Sequence, residues 1–251
     1  EYTSDAKVPQ VKAGTYVILE AGEASDGSRF SVTQTQKQVQ AKIYNRTAVI
    51  KVYGNLILRD ITIDAASLGR AVSVEPGGSL TLDSGALITG GTPVSGNIKQ
   101  GLGVYVAAYA QTAGDCGRLT INDGAAISGN NQTVSVSSIT TPQGLGVYSA
   151  GVTVMNGGEI TDNVDSSGEF EGTTLNKNAI GGGVYATSSA NSASPDADFV
   201  QFTMNGGRIS GNAASCGGGI YAAENALVHI NAGIINGNSA LRAGGGIAAN
   251  G

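Results

Sequence analysis

A short block of sequence recurs five times in this chain and limits its folds more than any other feature. The block is GLGVY at 101–105 and 144–148, GGGVY at 181–185, GGGIY at 217–221 and GGGIA at 244–248. A second block, in which β-forming residues lead to an asparagine and a glycine, follows at 119–124, 153–158, 202–207 and 228–233. A third block, with isoleucine first and asparagine last, closes the unit at 127–130, 160–163, 209–212 and 235–238. Weaker copies lie at 49–64 and 72–91.

Each unit therefore contains three short β-type runs that are separated by glycine and asparagine turns. The blocks stay constant while the stretches between them vary in length, so we expect the blocks to stack and the insertions to loop outward. No helical 3.6-residue period and no leucine-rich pattern is present, which excludes ankyrin-like and leucine-rich repeats. The pattern predicts an all-β, right-handed parallel β-helix with three-strand coils and roughly seven rungs.

The repeat also predicts how the chain is divided. Residues 1–47 lack the repeat and are richer in charge, because eight of the 14 Lys and Arg residues fall before residue 60. We expect this segment to cap the N-terminal end of the core. Residues 48–251 are predicted to form the β-helix, and the unit that stops at residue 251 predicts a helix truncated at its C-terminal end, as part of a larger chain.

Charge and hydropathy exclude several partners. The net charge of −5 argues against nucleic acid or an anionic membrane surface, since both need a basic face. No apolar run reaches the about 18 residues of a membrane-spanning helix, so we expect no membrane insertion of this segment. The two cysteines have no metal-ligand spacing.

The repeats resemble those of large bacterial surface proteins of the pectate-lyase-like superfamily, in the broad sense. They are also similar to the repeats of polymorphic outer-membrane proteins, which pair a GGA(I/L/V) motif with FxxN. Phe202 to Asn205 matches FxxN, whereas other coils place Thr153 or Val228 at the phenylalanine position and glycine at the alanine position of the first motif. The resemblance implies a parallel β-helix and an extracellular, cell-surface location. It leaves activity open, because the superfamily includes adhesins, tailspikes, lyases and glycosidases.

Stacking of equivalent positions predicts columns of identical side chains along the helix. We expect an apolar column of isoleucines inside the coil and structural asparagine ladders at its turns, because stacked amides can hydrogen-bond to one another. The predicted ladder residues are Asn130, Asn163, Asn212 and Asn238 in one column and Asn156, Asn205 and Asn231 in another, with Asp83 and Asn122 at the start of the second.

Enzymes on this fold usually place their reactive groups along the repeated strand of the first block. Between residues 101 and 249 that strand carries no Asp, Glu, Lys, Arg or His. A glycosidase needs two carboxylates and a uronate lyase needs a base with nearby cations. We therefore predict no catalytic residue and no cofactor, and keep a polysaccharide-active glycosidase or lyase as the alternative.

An acidic insertion and the single histidine are two further candidate sites. Asp162, Asp165, Glu169 and Glu171 form an acidic insertion whose oxygens could hold calcium, but their spacing fits no calcium repeat and a solvated loop is the favoured interpretation. The single histidine, His229, lies between Val228 and Ile230 and is predicted to point outward from a strand.

Four tyrosines at one position of consecutive coils are the most specific binding signal. If the preceding Val or Ile faces the core, Tyr105, Tyr148, Tyr185 and Tyr221 form an outward aromatic strip that could stack on sugar rings. Alternatively the tyrosines only stabilise the coil, or point inward. The sequence predicts a non-catalytic bacterial surface module, an adhesin or a stalk, with carbohydrate or a host surface glycoprotein as its expected partner.

Overall fold

The computed structural model describes residues 9–20, 31–33, 48–93, 99–112, 115–132, 141–166, 179–188 and 200–250. Within these ranges every regular element is a β-strand, and no helix is long and apolar enough to cross a membrane. The first nine strands are β1 (Gln10–Val11), β2 (Tyr16–Glu20), β3 (Ser31–Thr33), β4 (Ile50–Val52), β5 (Asn55–Arg59), β6 (Thr62–Asp64), β7 (Val72–Val74), β8 (Ser79–Leu82) and β9 (Leu87–Thr89).

The repeated blocks supply the remaining strands. Coils four and five contain β10 (Val104–Val106), β11 (Arg118–Ile121), β12 (Ala126–Ser128), β13 (Val147–Ser149), β14 (Val152–Met155) and β15 (Glu159–Thr161). Later coils contain β16 (Val184–Ala186), β17 (Val200–Met204), β18 (Arg208–Ser210), β19 (Ala213–Cys216), β20 (Ile220–Ala222), β21 (Leu227–Ile230), β22 (Ile234–Asn236), β23 (Ser239–Ala243) and β24 (Ile247–Ala249).

Up to β18 every third strand lies on the same side of the coil, after which β19 and β23 add a fourth strand to the coil, and the strands of successive coils pair in parallel. The first sheet runs β1-β4-β7-β10-β13-β16-β20-β24, the second β2-β5-β8-β11-β14-β17-β21, and the third β3-β6-β9-β12-β15-β18-β22. A small fourth sheet pairs β19 with β23. The chain is therefore a right-handed parallel β-helix, which confirms the predicted fold class.

The core lies inside the coil, where one side chain of each strand meets its equivalent one rung away. Isoleucines pair in register along the third sheet, and five of them are fully buried: Ile63, Ile88, Ile127, Ile160 and Ile209. Ile235 continues the same column and is partly buried. The predicted isoleucine column is thus confirmed. Burial of each fully buried isoleucine side chain stabilises the folded state by about 1.5–3 kcal/mol relative to an exposed one.

Glycines of the first block allow neighbouring coils to approach closely. A Cβ atom on Gly183 would lie 2.6 Å from the carbonyl oxygen of Gly219 on the next coil, and one on Gly146 would lie 2.5 Å from that of Gly183. Gly181 adopts a φ of 70°, which side chains disfavour. The glycine-rich block is therefore required at this corner by both backbone conformation and coil contact.

Part of the predicted N-terminal cap segment forms the first rung. β1, β2 and β3 pair in parallel with β4, β5 and β6, and Val17, Leu19 and Val32 pack against the main core. Residues 1–8, 21–30 and 34–47 lie outside the described residues. The boundary at residue 47 and the capping role of this segment consequently stay predictions, while β1, β2 and β3 extend the three sheets by one strand each.

Candidate functional site

The four tyrosines of the first block lie one above another on the outside of the first sheet. Strand register pairs Tyr105 with Tyr148, Tyr148 with Tyr185, and Tyr185 with Tyr221. Successive ring centroids are 5.3, 5.4 and 5.4 Å apart, and the rings are within 9° of parallel. We call this set the tyrosine column. Parallel strand pairing sets this arrangement, because it repeats each side chain at the spacing between coils, about 4.8 Å.

The direction of these side chains follows from their neighbours. Val104, Val147, Val184 and Ile220 are completely buried in the main core. Because side chains alternate along a strand, each following tyrosine lies on the outer face. The sequence predicted this for strands in which the preceding Val or Ile faces the core.

Although the tyrosine column faces outward, it is largely covered. Tyr148 and Tyr185 are each only 9% exposed and belong to a second apolar cluster outside the coil. Its other members include Ala108, Ala150 and Ile180. The column is therefore a small external core rather than an open aromatic strip.

One end of the tyrosine column is also covered. The guanidinium of Arg70 lies over the ring of Tyr105, with Cζ 4.5 Å from the ring centroid. At the other end Tyr221 pairs in register with Ala248. Tyr105, Tyr148 and Tyr185 have both ring faces covered by a neighbouring ring or by Arg70, so the groups these three offer to a ligand are ring edges and hydroxyls. Stacking of sugar rings on the inner faces is not compatible with this arrangement, and glycan binding by these residues stays a prediction.

Sequence reasoning missed Arg70, which is 6% exposed. Its Nε donates to the carbonyl oxygens of Gln100 and Gly101 at 3.0 and 2.9 Å, and its Nη2 also donates to Gln100. Burial lowers the pKa of Arg70 to about 10, so the group stays charged at neutral pH. The sequence contained a weak indication of this contact. The small residue Ser73 occupies the tyrosine position one coil before Tyr105 and leaves room there for another side chain.

Two glutamine amides extend from the tyrosine column. Gln143 donates from Nε2 to the hydroxyl of Tyr185 at 3.2 Å, and Gln100 donates from Nε2 to Oε1 of Gln143 at 3.0 Å. Amides and phenolic hydroxyls are the groups that bind sugar hydroxyls, so this polar edge is the part of the column suited to a carbohydrate.

The tyrosine column makes stability depend on pH in the alkaline range. Burial is the main cause that raises the pKa values of Tyr105, Tyr148 and Tyr185 above their ordinary value. Neutral phenols then stabilise the folded state fully below the unfolded pKa of about 10, and this contribution is lost as pH rises through the raised folded values. We expect the urea midpoint of unfolding to fall as pH rises above about 10.

The Tyr148→Phe variant isolates the role of that phenol in the alkaline loss. It keeps the ring stack and removes one ionisable group, so its urea midpoint should fall less steeply with pH than that of the natural protein. Parallel profiles for the two proteins would contradict the assigned cause.

Asparagines at the end of each third-sheet strand form the inner asparagine ladder, Asn130, Asn163, Asn212 and Asn238. The Nδ2 of Asn130 donates to Oδ1 of Asn163 at 2.9 Å, and the same bond joins Asn163 to Asn212 and Asn212 to Asn238. Backbone N–H groups of the first three donate to the same oxygens at 3.0–3.1 Å. This ladder is hydrogen-bonded throughout, with Asn130, Asn163 and Asn212 buried and Asn238 partly buried, as the sequence predicted for a structural role.

A second set, the outer asparagine ladder, contains Asn122, Asn156, Asn205 and Asn231. Each Nδ2 donates toward the N-terminal end of the helix, at distances between 2.8 and 3.2 Å. Asp83 is the terminal acceptor and is also paired with Arg59 at 2.9 Å. The hydrogen bond from Asn122 is the main cause that lowers the pKa of Asp83.

The acidic candidates for a metal are only partly described. Asp165 is fully buried, and its Oδ2 accepts a hydrogen bond from the N–H of Ala179 at 2.9 Å. This bond joins the two ends of the insertion that lies between residues 165 and 179. Asp162 lies at the end of β15 with a φ of 55°. Glu169 and Glu171 lie outside the described residues. Among the described residues no three His, Cys, Asp or Glu side chains form a group that could hold a metal ion.

Other polar residues that the sequence raised have simple positions. His229 is exposed on the outer side of β21, in register with Thr203, as predicted. Cys116 and Cys216 are free thiols. Lys51 occupies the outward column of the first sheet two coils before Tyr105 and lies 3.9 Å from Glu75.

Comparisons with known proteins do not add to this geometry. No family model matches the chain, and no curated protein or solved structure matches it either.

Proposed function

We propose that this chain is a non-catalytic, extracellular surface module of a bacterial protein and that it acts as a rigid spacer. The observation that carries the proposal is the tyrosine column, whose rings pack on one another instead of facing solvent. The side chains best suited to hold a ligand are therefore used to fasten successive coils together.

Continuity of the stack supports a mechanical role. The first sheet alone has eight strands in unbroken parallel register, which corresponds to a length of about 34 Å along the axis. The inner asparagine ladder, the outer asparagine ladder and the tyrosine column each join four successive coils. Within these four coils each coil is held to the next by three sheets and three side-chain columns, so bending at one rung requires several contacts to break together.

A glycan-binding adhesin is the second candidate, and the polar edge of the tyrosine column favours it. Tyr105 and Tyr221 at the two ends are half-buried, and the amides of Gln100 and Gln143 lie beside the column. A carbohydrate or host glycoprotein would then contact ring edges and hydroxyls rather than ring faces. The predicted walls of such a groove are the insertions 107–118, 131–143, 164–180 and 187–201, which are only partly described.

Affinity electrophoresis distinguishes these functions. For a spacer we expect unchanged mobility in native gels loaded with a panel of polysaccharides and mucins, relative to gels without them. Retardation that is lost in a folded Tyr148→Ala, Tyr185→Ala double variant would replace the spacer by the adhesin. Clearing of the polysaccharide around the band would overturn both and favour a glycosidase or lyase.

A further inference from the structure

Two members of the outer asparagine ladder are followed directly by glycine. Asn156 precedes Gly157, Asn205 precedes Gly206, and both asparagine side chains are exposed. The other two ladder asparagines have different successors, since Asp123 follows Asn122 and Ala232 follows Asn231. One column of the protein thus contains two Asn–Gly pairs and two asparagines without a following glycine, of which Asn231 is also exposed and Asn122 is partly buried.

The asparagines are required at these corners by the ladder. Asn156 donates from Nδ2 to Asn122 Oδ1 at 3.2 Å and accepts from Asn205 Nδ2 at 3.1 Å. These are the two longest side-chain bonds of the ladder.

The glycines are required by contact between coils. A Cβ atom on Gly157 would lie 1.7 Å from Oδ1 of Asp123, and one on Gly206 would lie 2.5 Å from the carbonyl oxygen of Asn156. A side chain at position 206 would therefore displace the backbone of the previous coil, and one at position 157 would displace the Asp123 side chain. Ladder and coil contact together favour an Asn–Gly pair at these two corners.

We propose that Asn156 and Asn205 are sites of spontaneous covalent modification, at which the asparagine cyclises to a succinimide. The backbone nitrogen of the following glycine attacks Cγ of the asparagine, the Cγ–Nδ2 bond breaks, and ammonia leaves. Water then opens the ring at either carbonyl and yields aspartate or isoaspartate. Glycine favours the first step because it places no Cβ beside the attacking nitrogen.

Modification changes the ladder in two ways. An aspartate at position 156 cannot donate to Asn122, and it adds a negative charge to a column that already ends in Asp83. An isoaspartate inserts one carbon into the main chain at a corner where Gly157 and Gly206 leave no spare room. The protein therefore carries a slow, water-driven alteration of its own coil stacking.

Incubation of the folded protein at mildly alkaline pH tests the proposal. Peptide mapping by mass spectrometry should show conversion of amide to acid at Asn156 and Asn205 several-fold faster than at Asn122 and Asn231. Methylation by a protein isoaspartyl methyltransferase should appear at the same two positions. Asn236–Gly237, an exposed pair outside the ladder, supplies the reference rate within the same molecule.

Denatured protein, incubated in parallel, separates chemistry from folding. Conversion in the denatured chain with none at Asn156 or Asn205 in the folded protein would overturn the proposal. Equal rates at all four ladder asparagines in the folded protein would overturn it as well. The Asn156→Asp and Asn205→Asp variants should show the added charge on a native gel but no isoaspartate methylation. Methylation of the incubated natural protein therefore identifies isoaspartate as a product distinct from aspartate.

Discussion

Replacing Asn163 by alanine is expected to lower the free energy of unfolding by about 3–4 kcal/mol, since two buried backbone groups lose their partners. The N–H of Asn130 donates to Oδ1 of Asn163, and Nδ2 of Asn163 donates to the carbonyl oxygen of Ile127. Asn130 and Asn163 are completely buried, so water does not replace these bonds. Urea denaturation followed by circular dichroism measures the loss.

The matched control for this variant lies in the same coil. Asn156→Ala removes the same amide from the outer asparagine ladder, where the side chain is exposed and water can take over its hydrogen bonds. We expect a loss below about 1 kcal/mol, as for most surface substitutions. Equal losses for Asn163→Ala and Asn156→Ala would show that burial does not determine what an amide contributes to this fold.

Replacing Phe202 by alanine should lower the free energy of unfolding by about 3–5 kcal/mol, because it removes a fully buried aromatic side chain and leaves a cavity. Phe202 lies in register between Thr153 and Val228, both of which are smaller. Neighbouring coils cannot close the gap, since their separation is set by backbone hydrogen bonds of the second sheet.

Two variants bracket the effect at Phe202. Phe202→Leu keeps most of the apolar volume and should lose clearly less than Phe202→Ala. His229→Ala, on the outer face of the next strand, should change the free energy of unfolding by no more than about 0.5 kcal/mol. Calorimetric unfolding compares all three, and a small change for Phe202→Ala would mean that the coil collapses around the missing ring.

Repeated blocks allowed the sequence to predict the elements of the fold and their stacking. Since side chains in register repeat along the axis, the isoleucine column and both asparagine ladders followed from equivalent positions. The strands before residue 34 carry none of these blocks. β2 joins the second sheet because Val17 and Leu19 alternate inward, a pattern too short to be distinctive in the sequence.

The sequence predicted on which face the tyrosines lie, but not that they are buried there. Alternation after Val147 and Val184 was enough to place Tyr148 and Tyr185 on the outer face. Their burial depends on alanines and Ile180 from other parts of the chain, and the cap on Tyr105 depends on Arg70 from the preceding coil. A residue pattern within one coil contains no information on these contacts.

The sequence by itself determined the strands of the repeated blocks, the three sheets and the identity of each stacked column, because parallel pairing places equivalent residues of successive coils together. Only the tertiary structure decided that the tyrosines stack on one another, that Arg70 closes one end, and that the glycines after Asn156 and Asn205 touch the previous coil. These outcomes depend on distances between side chains of different coils. Such distances are set when the whole stack packs and not by the local pattern that forms each strand.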